Sequence, residues 1–525
     1  MIRKTKVKYY NVFIKNRMLN CTYPVIDLFA GPGGLGEGFS SFKSGRKFSF
    51  KTLASIEQDP FAHRTLLLRH FFRNFDPQKP PKEYYEYLSG NISFDDFEKI
   101  YPRQWKEACQ SALMISLGKE SHEKVEKLIS QKIKGHRKWV LVGGPPCQAY
   151  SLVGRSRRAN DPEFEQDEKH FLYKEYLKII TDHKPPVFVM ENVKGLLSAK
   201  IKGEPVIQKI TRDLSRPKMA VGRSDNGLSY KLYSLSERGE FKGEVDPSSF
   251  IVKAEEYGVP QARHRMFIIG VRSDLGIVPE ILQKKDAITV KDVIGQIPKI
   301  RSGISKGIDS FERWKKLLTD AADTRWFEKI SLSNDEFSKI INKYASQTSG
   351  FPSQKASSKY TFPKTMQEWY CDDNLRTLTL HESRSHMVTD LYRYLFASSY
   401  SKIFKVSPKL SDFPVKLLPK HKNVEAGKNG KMFSDRFRVQ LPDRASTTIT
   451  SHISKDGHYY IHYDPFQCRS LTVREAARLQ TFPDNYHFEG PRTSQYHQVG
   501  NAVPPFLAHQ ISGIIKDVLD RVPEE

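Results

Sequence analysis

A cysteine that follows two glycines and two prolines is placed for reaction more than for packing. In "GGPPCQAYS", residues 143–151, Pro145 and Pro146 fix the backbone and remove donors just where the apolar run "WVLV" ends, so Cys147 is presented on a stiff turn. Thiolate is the nucleophilic form of cysteine, and a free thiol holds little of it at neutral pH unless neighbouring amides or cations stabilise it. "GRSRR", residues 154–158, supplies Arg155, Arg157 and Arg158 within reach along the chain. Glu191 and Asn192 close a second apolar run, "VFVM", where partial burial raises a carboxyl pKa and keeps its proton available to a ring nitrogen. In "QARHRMFIIG", Arg263 and Arg265 project to one side of an extended strand and His264 to the other, so two guanidinium groups can hold a carbonyl oxygen and an acidic partner. Thiolate, acid and arginine are together what is needed to add sulfur across the 5,6 bond of cytosine. Cys147 attacks C6, Glu191 serves N3, Arg265 holds O2, and C5 becomes nucleophilic towards a methyl sulfonium.

"TYPVIDLFAGPGGLGEGFSSF" reads as a strand through Phe29, a glycine turn and a helix opening near Leu35. Gly31, Gly33 and Gly36 spell G-x-G-x-x-G, and Glu57 ends the next strand, "KTLASIEQD". Such glycines let the backbone approach a ligand, a helix N-terminus favours an anionic group, and Glu57 can accept ribose hydroxyls. The turn alone suits NAD or FAD as well as S-adenosylmethionine. The chemistry around Cys147 selects the sulfonium.

These residues need elements to position them. "KWVLVGGPPC", "PPVFVMENVKGLL", followed by a helix start, and "RHRMFIIGVRS" supply three more strands, and strands alternating with helical stretches predict a doubly wound, mostly parallel α/β domain with sites at the carboxyl ends of strands. From 272 to 440 the sequence turns loop-rich, and residues 401–440 hold ten Lys/Arg against three Asp/Glu. "SLTVREAARLQTFPDNY" predicts a helix capped by Thr472 and Glu475 and stopped by Pro483, and "GNAVPPFLAHQISGIIKDVLDRV" predicts an amphipathic closing helix. Three sections follow: 1–271, catalytic and cofactor-binding; 272–440, a smaller second domain; and 441–525, a return to the first.

Composition bounds the partners. The 525 residues carry 84 Lys/Arg against 60 Asp/Glu, a net charge of +24, which favours a polyanion, nucleic acid first and an anionic membrane second. No apolar run approaches the roughly 18 residues that span a bilayer. The basic start flanks only "YYNVFI", so no signal peptide is expected. Five scattered cysteines indicate neither disulfides nor a metal site, and a cytoplasmic location is expected.

In family order, "DLFAGPGGLGEGF", "GGPPCQAYS", "ENVKGLL", "QARHRMFIIG", "REAARLQTFPD" and "QYHQVGNAVPP" resemble the motifs of the DNA (cytosine-5)-methyltransferases. The resemblance implies a Rossmann-like S-adenosylmethionine-dependent methyltransferase fold with a target recognition domain at 272–440. It implies Cys147 as nucleophile, Glu191, Arg263 and Arg265 as catalytic partners, and Asp27, Phe29, Gly31, Gly33, Gly34, Glu57, Pro145, Asn501 and Ala502 around the cofactor. Asn91 in "SGNISF" stands where the family commonly has the aspartate that meets the adenine. Gln148 and Ser151, with Arg155, Arg157 and Arg158, are implied DNA contacts. Ala149 and Tyr150 replace the more frequent Pro-Phe, and the long interval between Asn91 and Cys147 implies inserted helices. The implied activity is sequence-specific methylation of C5 of a flipped-out cytosine in double-stranded DNA, by a bacterial, monomeric modification enzyme paired with a restriction endonuclease. The alternatives are a tRNA cytosine-5 methyltransferase, whose Cys-Phe-Thr tripeptide is absent, and a non-catalytic DNA-binding relative. "HESRSHM" offers His381, Arg384 and His386 either to base edges or as loop anchors.

Overall fold

The computed structural model describes residues 22–76, 79–118, 120–146, 169–201, 203–224, 227–241, 246–346, 364–419, 424 and 434–524. Eight strands form the central sheet: β1 (Tyr23–Leu28), β2 (Phe50–Glu57), β3 (Ala112–Met114), β4 (Val140–Gly143), β5 (Val187–Val193), β6 (Tyr230–Tyr233), β7 (Ile251–Lys253) and β8 (His264–Arg272). Their order is β6-β8-β5-β4-β1-β2-β3, with β7 paired to β8. β3, β2, β1, β4 and β5 run parallel, and β8 is antiparallel to β5, β6 and β7. From β1 the chain winds one way to β2 and β3, then returns to β4 and β5. The reversal between β1 and β4 is the crevice where open α/β sheets bind ligands.

The sheet is covered on both faces, which explains strands that read as near-continuous apolar runs. Val25, Val142, Val189 and Ile269 pack on one face against helices α1 (Gly34–Ser41) and, at the far end of the chain, Pro505–Arg521. Ile26, Leu141, Phe188 and Ile268 pack on the other against the helices His122–Ile133, Lys169–His183 and Val206–Ser215. Helices Phe94–Ile100, Pro102–Ser111 and His122–Ile133 fill the interval after Asn91 in which insertions were expected.

Three local expectations are corrected. β1 stops at Leu28, because Phe29 takes a left-handed φ of 56° that an extended strand excludes. β5 runs into a 3-10 turn, Lys194–Ser198, and not an α-helix. The closing segment is two helices, α3 (Arg492–Asn501) and α4 (Pro505–Arg521), since Pro504 and Pro505 end one and begin the other. The capped helix starts as read: α2 (Val473–Leu479) opens with Thr472 and Glu475 in a reciprocal capping box.

A separate apolar core joins Ile304, Trp314, Leu391, Tyr394, Phe437, Ile461, Phe466 and Cys468. In another apolar core Ala476 and Leu479 of α2 meet Val293, Tyr370, Ile449 and Val499. Among the described residues, no helix is long and apolar enough to cross a membrane.

Candidate active site

A cleft of ≈ 390 Å³ opens at the carboxyl ends of β1, β2, β4 and β5, lined by Phe29, Gly31, Glu57, Pro145, Glu191 and Asn501 among the residues expected there. The turn after β1 shapes one wall. Phe29, Gly31 and Gly33 all have positive φ, at 56°, 56° and 92°, and Gly33 tolerates no side chain, since a Cβ would lie 2.7 Å from Leu66. Glu57 is fastened by three backbone donors: Oε2 accepts from Gly31 N and Oε1 from Gln58 N and Asp59 N, each at 2.8 Å. A carboxylate has about four acceptor sites, so with three taken the residual capacity suits one ribose hydroxyl.

The opposite wall belongs to the cysteine turn. Asn192 donates to Pro145 O at 3.0 Å, tying the turn to the end of β5. A Cβ on Gly144 would lie 2.9 Å from Glu191 Oε2, so glycine is what lets this carboxyl lie against the turn. Arg265 Nε is 3.1 Å from Glu191 Oε1. Burial raises the Glu191 carboxyl above its ordinary range, and Arg265 and Arg263 oppose that rise. Cys147, Gln148, Ser151, Arg155, Arg157 and Arg158 lie outside the described residues.

Several expected contacts lie elsewhere. Arg263 is buried away from the cleft, donating to Ile449 O at 2.7 Å and Gly500 O at 3.2 Å. Asn91 gives its side chain to Glu86 Oε2 and its backbone N–H to Glu86 O, closing the turn after the helix Lys82–Leu88. Asp27 is fully buried beneath α1; burial, with Glu57 adding and the Gly36 amide opposing, raises its carboxyl to about 8. Gly33 and Gly34 support the turn from behind, Gly34 pressed so close to Val503 O that a Cβ would come within 2.2 Å. Ala502 is packed inside, its carbonyl accepting from Gln480. None of these six residues lines the cleft.

Sequence reasoning missed Gln58, Asp59, Ile115, Leu117, Asn192, His497 and Gln498, which do line it. Ile115 and Leu117 follow β3, and Ser116 between them donates to Gln58 Oε1 at 3.0 Å. Three residues of strand, "ALM", left too little period-2 pattern to reveal that edge. His381 and His386 are buried anchors, the first bonded to Pro298 O at 2.8 Å, and burial lowers them to about 4 and about 3. Arg384 stacks on Tyr496, 3.9 Å from the ring centre.

Sheet order and cleft define a Rossmann-like methyltransferase fold. The chain belongs to the C-5 cytosine-specific DNA methylases, whose family model matches residues 89–517. It is 31% identical to the type II methyltransferase M.Bpa9945I of Bacillus paralicheniformis, over 94% of this chain and 99% of that one. It is 25% identical to the type II methyltransferase M.DdeI of Desulfomicrobium norvegicum, over 93% and 87%. It is 27% identical to the DNA (cytosine-5-)-methyltransferase M.ApeKI of Aeropyrum pernix, over 76% and 85%. The reaction is therefore methyl transfer to C5 of cytosine in DNA.

Proposed function

We propose that the chain methylates a cytosine flipped out of double-stranded DNA, through a covalent bond from Cys147 to C6. What supports this most is the convergence of Glu191, paired to Arg265, with the Gly144-Pro145 turn that leads into Cys147. The cleft fits S-adenosyl-L-methionine: Phe29, Ile115 and Leu117 offer apolar walls to a purine, and Glu57 a carboxylate to its ribose. Gly31 and Asn501 complete that side. When bound, the cofactor supplies the methyl group that C5 accepts.

The chain's own groups perform the rest. The Cys147 thiolate attacks C6 as a proton from Glu191 reaches N3, which moves the electron pair of the 5,6 bond onto C5. A carboxyl raised by burial can hold that proton, and Arg265 fixes its orientation while holding O2. After C5 is substituted, loss of its proton returns electrons to the ring and expels the Cys147 sulfur. Extruding the base costs a few kcal/mol, met by phosphate contacts from Arg155, Arg157 and Arg158 and by the basic segment 401–440, within a recognition domain at 272–440. A cytoplasmic bacterial setting, a monomer and a partner endonuclease complete the reading; the type II methyltransferase names of the relatives support the last of these.

The test supplies duplex DNA or bulk tRNA with labelled S-adenosyl-L-methionine to the protein and to Cys147→Ser, then identifies the modified nucleoside by mass spectrometry. 5-Methylcytosine is expected in DNA only, with transfer lost in the variant while DNA binding persists. Label in tRNA alone, or transfer undiminished in Cys147→Ser, overturns the reading.

A further inference from the structure

Gln261, Arg263 and Arg265 are spaced two apart where the short strand Gln261–Ala262 turns into β8, and among the described residues it is the Arg265 side chain that pairs with Glu191. The other two are fully buried and face the segment 446–451, which runs alongside them. Gln261 and Ala262 pair in parallel with Ser446 and Thr447, and Thr448 Oγ1 donates to Ala262 O at 2.6 Å. Ile449 is then held at both ends of its peptide unit: its N–H donates to Gln261 Oε1 at 2.8 Å, and its carbonyl accepts from Arg263 at 2.7 Å.

The second acceptor of Arg263 is Gly500 O, at 3.2 Å, one residue before the cleft-lining Asn501 at the end of α3. Gly500 lies so tightly on the segment that a Cβ would sit 2.2 Å from the Thr450 carbonyl carbon. Gln261 also donates to Leu479 O at 3.1 Å and to Gln480, which donates in turn to Ala502 O. One polar network therefore joins the strand carrying Arg265 to the helix end carrying Asn501. A guanidinium has five N–H donors, and burying its charge on two neutral carbonyls is costly where a neutral side chain could fill space. Its acceptors lie on separate segments, Ile449 O on 446–451 and Gly500 O at the end of α3.

Resting on the reading above, we infer that Arg263 is a positioning residue and touches no base. Through Ile449 O and Gly500 O it sets Arg265 and Asn501 in one frame, so the base side and the cofactor side of the cleft are aligned together.

The experiment measures S-adenosyl-L-methionine affinity by calorimetry without DNA, and single-turnover methyl transfer with DNA, on the full chain below its melting temperature. Arg263→Met is expected to weaken cofactor binding about tenfold and to slow transfer, as loss of a buried charged hydrogen bond does. Arg263→Lys, which keeps one carbonyl contact, recovers part of both. Arg265→Met slows transfer while cofactor affinity stays within about twofold, the scatter of such measurements. An Arg263→Met protein with unchanged cofactor affinity overturns the inference, whether transfer falls, as for a base contact, or holds, as for a merely structural residue. If Arg263→Met fails to fold, Gly500→Ala, which pushes the helix end off Thr450, must weaken cofactor binding in its place, and unchanged affinity there is equally fatal. Wild-type protein that binds no S-adenosyl-L-methionine sinks the underlying reading before any variant is compared.

Discussion

At the scale of single residues, the sequence was most readable where chemistry and strand ends coincide. Glu57 and Glu191 each close an apolar run, and both reach the cleft. Asn91 does not line the cleft, and its NH2 group donates to Glu86 in the turn after the helix Lys82–Leu88. Asp27 belongs to a familiar motif, yet its place is beneath the glycine turn, where burial holds its carboxyl at about 8. The folded state thus keeps a proton that the unfolded chain has lost above about pH 4, the ordinary aspartate range. A raised carboxyl makes stability fall as pH rises from the unfolded pKa to the folded one. Asp27→Asn removes that slope. Relative to wild type, the variant should gain on the order of 3 kcal/mol between pH 5 and pH 8, whatever the fixed cost of a buried amide. Urea denaturation at the two pH values checks this, and parallel curves for the two proteins would place the protonation elsewhere.

At the scale of elements, α2 shows both how far a pattern reaches and where it stops. Thr472 and Glu475 marked its start, and the capping box is present, but the helix ends at Leu479, ahead of Thr481 with its left-handed φ of 64° and short of the expected stop at Pro483. Its pattern says nothing of where its arginines go, and Arg474 and Arg478 are fully buried, as is Arg469 just before it. Arg469 meets Glu475 through two bonds of 2.6 Å, Arg478 meets Asp484 at 2.8 and 2.6 Å, and Arg474 donates to the Thr379 and Tyr486 carbonyls. Nothing local tells that another core will close over a charged helix. Tertiary packing decides it, because α2 is packed into the core that gathers Val293, Tyr370, Ile449 and Val499. Burial favours the neutral acid at Glu475, and Arg469 outweighs it, holding the carboxyl far below its usual range. Glu475→Gln leaves a guanidinium buried with its charge unbalanced and should cost about 3–5 kcal/mol. Thr472→Ala removes a cap, about 1 kcal/mol, together with the 3.1 Å contact of its hydroxyl with His381 Nδ1, and should cost less than the unbalanced guanidinium. Chemical denaturation separates these losses, and equal values would mean that the ion pair contributes no more than the cap.

At the scale of the whole molecule, the +24 charge and the composition shift at 272 pointed to a polyanion and a second unit, but composition says little about where a core closes. The core around Trp314 and Tyr394 takes in Phe437, Ile461, Phe466 and Cys468, while Val290, Val293 and Ile294 side with α2. An exchange of 272–440 with the corresponding part of a relative such as M.Bpa9945I would therefore strand Phe466 and Cys468 against foreign partners and separate Val293 from α2. An exchange of 300–468 keeps the first core whole and leaves Val290–Ile294 with α2. If base reading resides in that unit, the second chimera should methylate the donor's site, because Glu191 and Arg265 lie outside it, and cofactor affinity should hold to the extent that the donor's counterpart of 446–451 takes up Arg263 and Gly500. The first chimera should show the same change of site in whatever fraction folds, with a lower melting temperature. Sequencing of methylated cytosines in a plasmid, beside thermal melts, reads both outcomes. A fully folded 300–468 chimera that still marks the original site would move base recognition out of this unit and onto the catalytic domain.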